Sequence, residues 1–113
     1  MTSLQYVLKE HHSITKDAYN LVEKKGRDYN RKQQKNGDTL FNMTVAKHLG
    51  ITDTVCQGIM VRLSDKFMRL ASLTVNPKDN AAVSDEKIRD TILDTINYLI
   101  YLKIKYDEER SQK

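Results

Sequence analysis

Asp90, Asp94 and Asn97 stand at i, i+4 and i+7 in the run SDEKIRDTILDTINYLIYL. On a helix that spacing sets three polar side chains on one stripe. Around them lie Ile88, Ile92, Leu93, Ile96, Leu99, Ile100, Leu102 and Ile104, with Tyr98 and Tyr101, so apolar groups cover most of the circumference. A carboxylate among such neighbours is costly unless it is paired, hydrogen-bonded or bound to a metal. Two carboxylates one turn apart also repel, and a divalent cation relieves that repulsion. Mg2+ takes oxygen from one or two carboxylates together with substrate phosphate. Two readings follow: Asp90 and Asp94 serve a metal or ligand, or Asp90 faces water while Asp94 pairs with an arginine of a neighbouring helix.

A second polar set lies in RLSDKFMRL, where Arg62, Asp65, Lys66 and Arg69 fall at i, i+3, i+4 and i+7. Asp65 would join Asp94 if the two helices pack antiparallel, and Arg62, Lys66 and Arg69 suit phosphates. The plainer alternative is a solvated face laced with weak ion pairs. In GRDYNRK, Tyr29 stands among Arg27, Arg31 and Lys32. Tyrosine stacks on bases while cations meet phosphate, a combination that suits a nucleotide as well as an ordinary polar loop. His11 and His12 are adjacent and diverge on a helix, and His48 carries no partner spacing. Cys56 falls on an apolar stripe and reads as packing. Neither a Gly-rich phosphate loop nor a serine or cysteine nucleophile motif is present, so a covalent mechanism has no support. Residues 39–62 have the outline of a helix-turn-helix with Gly50 in the turn, although the would-be recognition helix offers Val55, Cys56, Ile59 and Met60 and few groups that read bases.

The elements that must position these residues are helices. A chain of 113 residues suits one domain, and only 4 Gly and 1 Pro favour a few long helices over many strands and turns. Leu4, Val7, Leu8, Ile14, Ala18, Leu21 and Val22 predict a helix over 3–25 with Gly26 as its C-terminal cap. Residues 26–38 then form a basic connection that ends on the turn signal Asn36-Gly37-Asp38. A short helix over 39–49 turns Phe41, Val45, Ala46 and Leu49 inward and stops at Gly50. The third spans 53–74, capped by Thr52 or Asp53, with Cys56, Met60, Leu63, Phe67 and Leu70 as its core stripe and Gly58 permitting close packing. The last runs over 85–109 from an N-cap at Ser84, and the charged tail 107–113 frays. The expected fold is all-α: a compact bundle of three long helices and one short one.

The net charge of +4 is modest, but from Glu23 to Lys35 there are six basic residues against two acidic ones. That local surplus favours polyanionic partners. One cysteine allows no internal disulfide, charge arrives too early for a signal peptide, and no apolar run reaches the roughly 18 residues of a membrane span. A cytoplasmic location is the expectation.

Arg27-Asp28-Tyr29, then RLSDKFMRL, then SDEKIRDTILDTINYLIYL together resemble the phage and bacterial nucleotide-modification-associated domain. That family is in turn similar to the all-α nucleotide pyrophosphatases of the MazG and dimeric dUTPase group. The resemblance spans about Glu23 to Tyr101 and is most specific at Asp90, Asp94, Asn97 and Tyr98. In the pyrophosphatases a Glu-x-x-Glu pair and a Glu-x-x-Asp pair on successive helices hold Mg2+ against nucleotide phosphates. Asp94 matches the final acidic position and Asp65 falls near the first pair, while Arg62 and Met68 occupy its partner positions. The resemblance implies a homo-oligomer that binds a nucleotide or phosphorylated nucleoside, with Asp65, Asp90 and Asp94 on Mg2+. Lys66, Arg69, Arg62, Arg27 and Tyr29 would meet the ligand, along with Asn97 and Tyr98. As an enzyme it would be a Mg2+-dependent nucleotide phosphohydrolase. The alternatives are a non-catalytic phage-type protein that sequesters a nucleotide signal or inhibits a host protein, and a small DNA-binding protein.

Overall fold

The starts of two long helices are set by side chains whose hydrogen bonds replace those the helix lacks. The structure, a computed structural model, describes residues 1–33, 38–75 and 81–111, apart from the side chains of 28–33 and 81–84. Among the described residues four α-helices follow one another: α1 (Leu4–Gln33), α2 (Val45–His48), α3 (Val55–Val75) and α4 (Ala81–Ser111), with a 3-10 turn at Phe41–Thr44 leading into α2. The fold is the expected all-α bundle.

α1 starts where the Ser3 hydroxyl accepts the Tyr6 N–H. It does not stop at Gly26. Among the described glycines only Gly50 has positive φ, so Gly26 makes no left-handed cap. Helix-competent residues follow it, and the Arg27–Glu23 ion pair bridges one turn across it. The basic stretch 27–33 is therefore helix rather than connection, and the turn signal at Asn36-Gly37 lies outside the described residues. The Asp38 carboxylate accepts the Leu40 N–H at 3.0 Å and leads into the 3-10 turn.

Gly50 does end a helix. At φ 75° its N–H bonds the Lys47 carbonyl while the Ile51 N–H bonds that of Ala46, both at 2.9 Å. This is the paired termination that a left-handed residue allows. Leu49, expected inside, is exposed just before that turn. The next helix, α3, is capped by Thr54, one or two residues later than the predicted cap. The Thr54 hydroxyl accepts the Gln57 N–H at 3.0 Å, and the Gln57 side chain reaches back to the N–H groups of Asp53 and Thr54. That reciprocal arrangement outcompetes Thr52 and Asp53 as caps.

α3 and α4 pack antiparallel and form the main helix pair. Arg69 meets Thr91, Lys66 meets Asp94, and Cys56 lies by the Leu102 carbonyl. α1 packs on the other side of α4, with Arg89 reaching Ser13 and Asp17 and Asn97 reaching Ala18. α4 is thus flanked by both other long helices, although Leu99, Ile100 and Ile104 of its apolar circumference stay exposed, and it begins at Ala81 rather than at Ser84. The Ser84 side chain lies outside the described ones. The charged tail is helical as far as Ser111.

The core keeps Leu63 of the predicted stripe but is otherwise turned around α3. Val55, Ile59 and Leu63 are buried with Met43, and Leu40, Tyr98, Tyr101 and Leu102 pack against them. Gly58 is buried too, and a Cβ there would stand 3.3 Å from the Ala46 Cβ, so glycine brings α2 against α3. Met60 and Phe67, placed in the core by their spacing, are 54% and 55% exposed. The helix has a second apolar stripe, and within one chain α4 covers only the first.

Candidate functional site

Where α1, α3 and α4 meet the segment before α2, they enclose a cavity of about 140 Å³. Lys25 and Gly26 reach it from α1, Lys66 from α3, and Asp94, Asn97, Tyr98 and Tyr101 from α4. Thr39, Leu40, Asn42 and Met43 close the remaining side. Gly26 makes this corner tight, since a Cβ there would stand 3.3 Å from the Thr39 methyl.

The charges are arranged around Asp94. Its Oδ1 lies 3.5 Å from the Lys25 ammonium and its Oδ2 3.5 Å from that of Lys66. Both contacts are longer than the 2.7–2.9 Å usual for charge-assisted hydrogen bonds. Lys66 also stands over the Tyr98 ring, 5.5 Å from its centroid, a favourable cation–π position. Tyr98 meets Tyr101 edge-on at 5.8 Å. Asn97 is only 5% exposed, and its Nδ2 donates to the Ala18 carbonyl at 3.1 Å. It thereby ties α1 to α4 at the cavity wall.

Of the residues singled out by spacing, Lys66, Asp94, Asn97 and Tyr98 converge here. The others do not. Asp65 is exposed on the outer face of α3. The helices are antiparallel as required, but one residue is a 100° rotation, and it is Lys66 that meets Asp94. Asp90 is exposed one turn before Asp94. The proposed Asp65–Asp90–Asp94 metal cluster is therefore not assembled, and among the described residues no group of three or more His, Cys, Asp or Glu is placed to hold a metal ion. Asp94 takes two lysines as partners instead of the arginine expected in the structural reading. Arg62 donates to the Asn42 carbonyl at 3.2 Å and Arg69 to the Thr91 hydroxyl at 3.2 Å, so both tie elements together beside the cavity without lining it. Arg27 pairs with Glu23 on the surface, and the Tyr29 side chain lies outside the described residues.

Two functional groups escaped the spacing. Lys25 sits in a basic cluster that reads as surface, although Ala18, Val22 and Lys25 share one stripe at i, i+4 and i+7. Glu109 lies in the tail expected to fray, yet its carboxylate accepts the N–H groups of Val55 at 3.0 Å and Cys56 at 3.1 Å. Burial raises its pKa, but the Cys56 thiol, the two backbone donors and the charge of Lys47 outweigh that and hold it below 4.5. The Cys56 thiol is correspondingly pushed up to about 11, by burial first and then by Glu109, which fits a packing role rather than a nucleophile. Glu109 also places a carboxylate at the α3 N-terminus, the end by which a recognition helix meets DNA.

Comparison of the chain with known protein families, with curated proteins and with solved structures finds no match. No helix among the described residues is long and apolar enough to cross a membrane.

Proposed function

We propose that the chain binds a phosphate-bearing nucleoside at the cavity between α1, α3 and α4. The observation that carries this reading is the meeting of Lys25 and Lys66 with Tyr98, Asn97 and Asp94 around one cavity. Ammonium groups serve phosphate oxygens and tyrosine faces serve bases. Small-molecule pockets usually measure about 300–1,000 Å³, so about 140 Å³ accommodates a phosphate group while sugar and base extend along the rim. The carboxylate nearest the site is engaged by lysines, and the exposed Asp65 and Asp90 stand away from it. That donor set favours recognition of the nucleotide over hydrolysis through a protein-held Mg2+. The test is a thermal-shift panel of nucleoside mono-, di- and triphosphates with and without Mg2+, followed by assay of phosphate and pyrophosphate release. Ligand at about 100 times Kd should stabilise the fold by about 2.7 kcal/mol. Binding without turnover is the expected result. Release that requires Mg2+ would instead make the protein a phosphohydrolase, and a panel without any shift would remove the nucleotide reading.

We also propose self-association through the second apolar stripe of α3. Cys56 shares an apolar groove with Leu99, Leu102 and Tyr106 of α4, and Met60 follows it by one turn. Leu99 and Tyr106 are exposed along with Met60 and Phe67. A two-fold contact between two copies covers the stripe on both at once. Sedimentation equilibrium should show a dimer that Met60→Glu dissociates, and a monomeric wild type would overturn the assignment.

A further inference from the structure

The cavity holds an anion of its own. Asp94 gives one carboxylate oxygen to each lysine, at 3.5 Å on both sides, so the space that a phosphate oxygen would use already has a negative group beside it. We infer that Asp94 is a built-in competitor for the ligand's anionic group, which sets the affinity of the site for phosphate and limits its occupation by small inorganic anions. This inference rests on the nucleotide reading and specifies how that same site selects.

Three features point this way. The two lysines share a single carboxylate, which leaves the trio with one excess positive charge, enough to attract a phosphate but offset by repulsion from Asp94. Each ammonium carries three donors, so a second oxyanion has N–H groups available when it enters. Lys66 has a further contact, the Tyr98 ring, that keeps its ammonium at the cavity when the carboxylate is no longer its main partner. Lys25, with its side chain 54% exposed, has no such restraint and contributes less. A small free anion gains only the lysines against the repulsion of Asp94. A nucleotide adds contacts with the tyrosines, so the same penalty discriminates in its favour.

Removing a ligand-contacting or metal-binding aspartate would weaken anion binding, whereas removing a competitor strengthens it. Asp94→Asn keeps the size of the side chain and removes its charge. Inorganic pyrophosphate, titrated calorimetrically without divalent cations, should bind this variant about tenfold more tightly than the wild type, because a unit charge within a few ångströms of the anion has gone. Added salt should shrink the difference. Lys66→Gln on the Asp94→Asn background should abolish the gain, and Lys25→Gln should remove less of it. Asp94→Ser, checked for folding by circular dichroism, should also bind pyrophosphate more tightly. Weaker or unchanged pyrophosphate binding by folded Asp94 variants would overturn the competitor role. If the wild type binds nucleotides while those variants gain nothing, this inference fails and the nucleotide reading stands. If the variants gain pyrophosphate affinity while no nucleotide binds the wild type, the reverse holds.

Discussion

Glu109 and Asp94 sit on the same helix and both are carboxylates held by donors from other helices, yet they are held in different ways. Glu109 accepts two backbone N–H groups from the first turn of α3, at 3.0 and 3.1 Å. Those donors belong to a rigid element and point at the carboxylate whether or not anything else is bound. Asp94 is held by two lysine side chains at 3.5 Å on the wall of a cavity. Lysine stems are flexible and their ammonium groups can take another partner. The contrast separates a joint from a site: a carboxylate satisfied by backbone fastens two helices, whereas one satisfied by mobile cations beside empty space leaves those cations open to exchange.

The largest effect should come from the apolar core beside the Glu109 joint. Ile59 is fully buried, and Ile59→Ala should cost about 2–5 kcal/mol of stability in urea unfolding. A smaller loss would mean that the core is less closely packed than Ile59 implies, and the contrast between fastened and open ends would weaken. At the other end, Lys66→Ala should leave stability within about 1 kcal/mol, as for partly exposed ion pairs, while nucleotide affinity falls about tenfold, or about 1.4 kcal/mol. Loss of stability without loss of affinity would make Lys66 a structural residue and erase the distinction. Glu109→Ala should do the opposite. It leaves two N–H groups of α3 without their carboxylate and should cost about 1 kcal/mol with nucleotide affinity unchanged.

Local chemistry explains which features were legible in the chain. Gly50 reads correctly as a stop because its two neighbours Ile51 and Thr52 do not extend α2. Gly26 reads wrongly because the same residue type is followed by seven helix-compatible positions and spanned by an ion pair. Thr52, Asp53 and Thr54 all suit a cap, and only the reach of Gln57 chooses among them. The apolar spacing of α3 supports two stripes, and which one faces α4 depends on the rotation of a partner helix that no local pattern specifies. The same rotation decides that Lys66, not Asp65, reaches Asp94. Asp94 and Asn97 were legible because polar groups deep in an apolar run need partners. Glu109 was not, since its partners lie 53 and 54 residues away in sequence and its own neighbours are all charged.

The smallest effect sharpens the comparison by titration. The folded-state pKa of Glu109 is depressed, so its contribution to stability is present above the unfolded value of 4.5 and is lost as pH falls through the depressed folded value. The melting temperature should decline in acid below about pH 4.5, and Glu109→Gln should flatten that part of the curve. The thiol it touches works in the other direction. Cys56 is raised from 9.0 to about 11, so the stability linked to it is complete below pH 9, falls as the unfolded chain ionises first, and is lost by about pH 11. The same shift keeps the fraction of thiolate, the reactive form, small near neutrality. In the monomeric Met60→Glu background, where the side chain is partly accessible, iodoacetamide at pH 8 should therefore modify Cys56 well below the rate of a free cysteine. In Glu109→Gln the negative charge beside the sulfur is gone while burial remains, so the rate should rise but stay below the free value. An equal rate in the two proteins would show that burial alone suppresses the thiol, and that Glu109 acts on the α3 backbone without reaching the side chain next to it.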